Sequence, residues 1–188
     1  MKTIRITLLV ATLVTFFTLE TKAQYDSNVA LGFRVGEPLG LNLRKYFQYG
    51  DKAFDINFGT YGFIYGRHRN YRKGEYTKSG LMLNGIYNWH YSLGKNKGLK
   101  AYYGVGGQFN FREYVSEENL IGTRQNGEKH LSIGPAGNLG LEYDLPNNDL
   151  GVFLDAGAYA ELFPDIFFLH PQISAGVRVN LIGGGKRR

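Results

Sequence analysis

Side chains able to do covalent chemistry are few in this chain, and their spacing narrows what they could do. His90, Tyr91 and Ser92 put an imidazole and a hydroxyl two residues apart; with a carboxylate these are the groups that activate a nucleophile for acyl transfer. The other histidines, His68, His130 and His170, stand far apart, without the ligand spacing of a zinc site. The chain has no cysteine, which removes disulfides, thiolate metal centres and a thiol nucleophile. Gly104-Val105-Gly106-Gly107 lies inside an alternating segment with no helical pattern after it, so it is no phosphate-cradling loop. Neither a metal nor a cofactor is expected. What remains is ion-pair chemistry. Arg44 with Asp55, Lys100 with Glu142 and Asp155 with Arg178 are expected as pairs, and Arg34 with Glu161 as a weaker fourth. A cluster of cations, Arg67, Arg69, Arg72 and Lys73, lies among Tyr61, Tyr65, Tyr71 and Tyr76.

The elements that must position these residues show a period of two. In 99–112, LKAYYGVGGQFNFR, the odd positions Leu99, Ala101, Tyr103, Val105, Phe109 and Phe111 are apolar or aromatic, and the even positions are mostly small or polar. That is a strand with one face in an apolar medium and one in a polar medium. At roughly 14 residues it exceeds the usual soluble strand and suffices to cross a bilayer at a tilt. The same pattern recurs at 28–35, 39–47, 53–61, 81–93, 131–143, 150–162 and 172–181, which predicts eight strands. Counted from the second strand, the connections run short, long, short, long, short, medium. The long ones are 62–80 and 113–130, and 163–171 is the medium one.

Residues 1–23 read as a secretory leader. Lys2 and Arg5 precede the apolar run Ile6 to Leu19, and Thr21 and Ala23 are small residues at the expected cleavage positions. Gln24 follows, not Cys, so no lipid anchor is expected. Residues 24–188 are then one domain. The formal charge of +6 falls by two once Lys2, Arg5 and Lys22 leave with Glu20. Much of the rest sits in the 62–80 loop and in the tail Lys186, Arg187 and Arg188, not spread as a nucleic-acid-binding face would be, and nucleic acid is not an expected partner.

The fold these observations predict is all-β: an eight-stranded antiparallel up-and-down transmembrane β-barrel after a cleaved signal peptide. Leader, strand count and alternating loops resemble the small outer-membrane barrels of OmpX and OmpA type. The segments GEPLGLNLRKYF, GLMLNGIYNWHYSL and LKAYYGVGGQFNF are similar to small, porin-family-like outer-membrane barrels of the Bacteroidota. The last strand also resembles the assembly signal of such barrels, with Leu181 where an aromatic is usual. The resemblance implies the outer membrane of a Gram-negative bacterium, both termini periplasmic, a monomer, and the barrel-assembly machinery as partner during biogenesis.

The competing architecture is a soluble lipocalin-like ligand-binding barrel, which differs in which face is wet. Here the polar face carries mainly Gly, Asn, Ser and Tyr with a few charges, which suits a narrow interior filled by side chains. The three charge pairs are therefore expected inside, because a buried charge is tolerated only when paired and hydrogen-bonded. Tyr87, Trp89 and Tyr91 are expected outside, near the short turn 94–98, as an interfacial girdle. In this topology His90 and Ser92 point inward at the short-turn end. A lipid-modifying enzyme would need His, Ser and an acid on the outer face near the opposite rim, so no enzymatic activity is expected. The expected role is structural or surface-interactive. Outer-membrane lipid and lipopolysaccharide would be the partners, with Arg67, Arg69, Arg72 and Lys73 as anion contacts. Narrow-pore transport and a place in a secretion complex are the alternatives.

Overall fold

The computed structural model describes residues 28–62, 74–76, 79–93, 98–116, 128–145, 149–164, 166 and 168–182. The expected leader 1–23 and the expected anion contacts Arg67, Arg69, Arg72 and Lys73 lie outside them.

The alternating segments fold as β1 (Val29–Glu37), β2 (Leu39–Phe47), β3 (Lys52–Tyr61), β4 (Gly74–Tyr76), β5 (Gly80–Ser92), β6 (Leu99–Ser116), β7 (Glu128–Asp144), β8 (Leu150–Glu161) and β9 (Phe168–Ile182). Each long strand pairs antiparallel with its neighbours. The sheet closes because β1 pairs with β9 and β6 with β7. The barrel has eight staves. The three-residue β4 pairs only with the far end of β6, through Tyr76 opposite Tyr114, and so continues the line of β5. Closure leaves the barrel wall without an exposed edge, the condition for a β-structure to cross hydrocarbon.

The stagger of the strands shows when one residue is followed around the wall. Val152 stands opposite Val177 and Phe33 opposite both Val177 and Leu41. Phe58, Leu83, Phe109 and Ile133 follow in turn. The path returns to β8 beyond its start, at Phe163, which bridges to Ile133. All nine residues are apolar, and those whose exposure matters most, Phe33, Leu41, Phe58, Leu83 and Phe109, are exposed on the outside. The buried side chains are instead mostly arginines, carboxylates, amides and hydroxyls, with a few apolar ones such as Met82, Ile86 and Phe153 among them. This is the polarity of a water-soluble protein turned inside out. Among these outward residues the hydrophobic contribution, about 25 cal/mol per Å² of apolar surface withdrawn from water, is available only if hydrocarbon covers them.

Apart from the β1–β2 turn at Pro38, which lies with the long connections, short turns and long connections segregate to opposite ends. The β2–β3, β5–β6 and β7–β8 turns share one end with the start of β1 and the end of β9, where Val29 stands opposite Ile182. In the β2–β3 turn, Gln48, Tyr49 and Gly50 all adopt positive φ (48°, 58° and 91°), a tight reversal that Gly50 makes easier.

The structure differs from the sequence reading at the end that carries the long connections. The expected loop 113–130 begins and ends as strand, with Glu113 opposite Lys129 and Tyr114 opposite Glu128. β9 starts at Phe168, four residues before the expected strand, and β4 lies inside the expected 62–80 loop. Beyond the apolar band the pairing continues through backbone hydrogen bonds, which need no apolar face, so the two-residue pattern fades before the strands end.

Candidate functional site

The lumen is the one place where charged and polar groups converge among the described residues. Alternation aims Arg34 (β1), Arg44 (β2), Asp55 (β3), Glu142 (β7), Asp155 (β8) and Arg178 (β9) inward, and all are buried. Three guanidiniums thus face three carboxylates, a neutral cluster in which every carboxylate has an arginine.

Arg44 holds Asp55 with two parallel hydrogen bonds, Nε to Oδ1 and Nη2 to Oδ2, both 2.6 Å. This bidentate geometry is where arginine outperforms lysine. Its Nη1 donates to Glu142 and also lies 3.0 Å from His90 Nε2. Since arginine can only donate, Nε2 is the unprotonated nitrogen of that ring. The guanidinium carbon sits 4.7 Å over the Tyr102 ring. Glu142 is also bound by Arg178 Nη1 and by the Tyr46 hydroxyl at 2.5 Å. One carboxylate on β7 therefore bridges two arginines, from β2 and β9, the strands on either side of β1. Asp155 accepts from Arg34 Nη2 at 2.7 Å, Ser174 Oγ at 2.6 Å and Tyr102 Oη at 3.2 Å.

Three expected pairings are thereby corrected. Lys100 and Glu142 are cross-strand partners, yet Glu142 turns to Arg44 and Arg178, and the Lys100 amine lies 3.6 Å from Asp144 at the short-turn mouth. Asp155 stands opposite Ser174, whereas Arg178 stands opposite Gly151. Four residues of stagger separate the two by about 13 Å along the strands. Arg178 reaches Glu142 instead and lies 4.0 Å from Asp55. Arg34 takes Asp155, not Glu161, and Glu161 is 3.9 Å from His170 Nε2. The common reason is width. An eight-stranded lumen is narrow enough for long side chains to cross it, so adjacency on the wall does not decide partners.

From this cluster a ladder of amides follows the register up the wall. Arg178 Nε donates to Asn42 Oδ1 at 2.5 Å across Gly32. Asn42 donates to Asn57 at 2.8 Å, Asn57 to Asn84 at 2.6 Å and Asn84 to Gln108 at 3.3 Å. Gln172 joins at Gln108, and Asn110, Ser132 and Tyr159 carry the chain on. Gly32 is required where it is, because a Cβ there would come within 2.8 Å of Arg178 Cγ and of the Val177 carbonyl. At Gly104 the space a side chain would take is filled by Asn88, Asn138 and Ile86.

Near the long-connection end the lumen turns aromatic. His170 stacks on Tyr159 (centroids 5.6 Å apart) and meets Tyr61 and Phe168 edge-on. His170 was expected in a loop; it lies instead in β9, facing inward and buried. His90 is buried in the lumen as well, away from any lipid-facing ester. On the outer wall, Trp89 stacks on Tyr103 at 5.3 Å, Tyr87 packs edge-on to Trp89, and Tyr91 stacks on Tyr103. No group of metal-ligating side chains occurs among the described residues.

Taken together, the closed wall, apolar exterior and plugged polar interior define an eight-stranded β-barrel of the outer-membrane type. No protein-family model and no curated protein sequence matches the chain. Among solved structures it is similar to Neisserial surface protein A, with a TM-score of 0.50 and 12% identity over 82% of this chain and 94% of that one. It is also similar to Ail, the attachment invasion locus protein of Yersinia pestis, with a TM-score of 0.48 and 12% identity over the same shares. At such identity the likeness to Neisserial surface protein A is one of fold.

Proposed function

We propose that this chain is an integral outer-membrane protein of a Gram-negative bacterium, with a structural or surface-interaction role, both termini in the periplasm and no wide channel. The observation that carries this reading is the inverted polarity: exposed apolar side chains around the whole wall, and a lumen closed by mutually neutralising ion pairs. A porin needs an aqueous lumen, and here arginines from β2 and β9 meet on a glutamate that reaches them from β7. Surface interaction would fall to the long connections. The cations Arg67, Arg69, Arg72 and Lys73 lie in the segment between β3 and β5, and clustered arginine suits phosphate. Lipopolysaccharide phosphates are the acidic partner this reading favours.

Two experiments test it. On fractionation the protein should be found in the outer membrane, and unboiled samples should migrate differently from boiled ones. Recovery as a soluble, heat-unmodifiable secreted protein would remove the proposal. Neutralising the four loop cations together should weaken association with lipopolysaccharide-containing vesicles while leaving the heat shift intact. Unchanged association would remove the lipopolysaccharide assignment alone.

A further inference from the structure

The segment between β8 and β9 is unlike the other two long connections. Those are rich in charge, whereas 162–169, the connection with the first two residues of β9, reads LFPDIFFL, with one ionisable residue in eight. Phe168 packs against His170, but four of the other apolar side chains stay out of the lumen. Leu162, Phe163, Ile166 and Leu169 are 48%, 59%, 59% and 56% exposed. Hydrophobic exposure of this kind, contiguous and at one rim, marks a surface that something covers.

Two observations identify the covering medium. First, the start of the segment, Leu162 and Phe163, is fastened against the wall. Ile133 N–H donates to Phe163 O at 2.9 Å, and Leu162 N–H and Phe163 N–H donate to Ile133 O at 2.9 and 3.1 Å. These backbone groups are satisfied by the barrel, which is what a segment entering a medium without hydrogen-bonding capacity requires. Second, Phe163 is the end of the apolar path that winds from Val152 around all eight staves. The exposed patch is therefore continuous with the surface assigned to hydrocarbon.

We propose that the β8–β9 connection is a membrane-inserted anchor: Leu162, Phe163 and Ile166, with Leu169 beside them, lie in the acyl-chain boundary of the leaflet at the long-connection end. This rests on the membrane reading above and adds to it. The barrel wall on the β8–β9 side is then held deeper in the leaflet than the wall across from it.

The absence of native cysteine makes the test direct. Single variants Phe163→Cys and Ile166→Cys would carry an environment-sensitive fluorophore in phosphatidylcholine vesicles. Val105→Cys would be the mid-wall reference and Tyr49→Cys, on the short-turn end, the aqueous reference; each variant would first be checked for the heat shift. Shallow brominated phospholipids should quench Phe163→Cys and Ile166→Cys at least half as strongly as Val105→Cys, with iodide quenching several-fold below that of Tyr49→Cys. Iodide access equal to that of Tyr49→Cys, with Val105→Cys still quenched by bromolipid, overturns the anchor and leaves the membrane reading standing. Protection from both quenchers that grows with protein-to-lipid ratio also overturns it, because a second copy then covers the patch. A Val105→Cys label indifferent to bromolipid overturns the membrane reading itself, and the anchor with it.

Discussion

Replacing Glu142 by glutamine removes one charge from the centre of the lumen and almost none of its volume. Arg44 and Arg178 both donate to this carboxylate, and Tyr46 adds a hydroxyl at 2.5 Å. Glu142→Gln leaves Arg34, Arg44 and Arg178 facing only Asp55 and Asp155, one uncompensated cation in a closed cavity. A unit pair about 4 Å apart is worth roughly 4 kcal/mol at an effective dielectric constant of 20. Glu142 has two such partners, offset by its own desolvation, and breaking a buried pair costs about 3–5 kcal/mol. With a urea slope near 2 kcal/mol/M, the unfolding midpoint should fall by about 2 M. Removing Arg178 as well restores neutrality, so Glu142→Gln/Arg178→Gln should cost about 2 kcal/mol less than the two single changes added together. The assay is urea titration in phospholipid vesicles, with the folded fraction read from the mobility shift on unboiled gels. A Glu142→Gln midpoint within about 0.5 kcal/mol of the parent, or strict additivity in the double variant, would refute a mutually neutralised lumen.

Three other substitutions probe separate parts of the account. Gly32→Ala should destabilise by about 1–3 kcal/mol as an overpacking change, because the added methyl displaces the Arg178 stem that reaches Asn42; the same urea titration measures it. Asn57→Leu strands the Asn42 amide donor and the Asn84 carbonyl acceptor and should cost about 1–3 kcal/mol for each orphaned group, measured by the same titration. Val105→Arg places a cation on the outer wall and should cost about 2–4 kcal/mol if that wall faces mid-bilayer, measured in vesicles against the same variant in aqueous detergent.

Much of the architecture was legible from alternation alone, and the reason is physical. A wall between hydrocarbon and a packed lumen imposes a period of two on every residue within the band, so Leu31, Phe33 and Val35 or Phe54, Ile56 and Phe58 declare their face. That constraint lapses at the long-connection end, where Glu113 to Ser116 and Glu128 to His130 continue as strands with no apolar face to show it. The inward residues were readable for the same reason as the outward ones, but their partners were not. Lys100 faces Glu142 across one ladder step, and Asp155 and Arg178 share neighbouring strands; partner choice was instead settled by stagger and by arginines long enough to span the lumen. The amide ladder Asn42, Asn57, Asn84 and Gln108 had a signal in the sequence, one amide on the polar face of each of four consecutive staves, but its register depends on pairings the sequence does not state. His170 was read as a loop residue because Pro171 beside it hides the start of β9.

Trp89 is the chain's single tryptophan, and it stands on the outer wall between Tyr87 and Tyr103. Its intrinsic fluorescence therefore reports, without any label, which medium touches that wall. In vesicles, phospholipids brominated near the headgroup end of the acyl chain should quench it strongly, and aqueous iodide only weakly. Fluorescence indifferent to brominated lipid would mean that the apolar face looks inward, contradicting the inverted polarity on which the whole account stands.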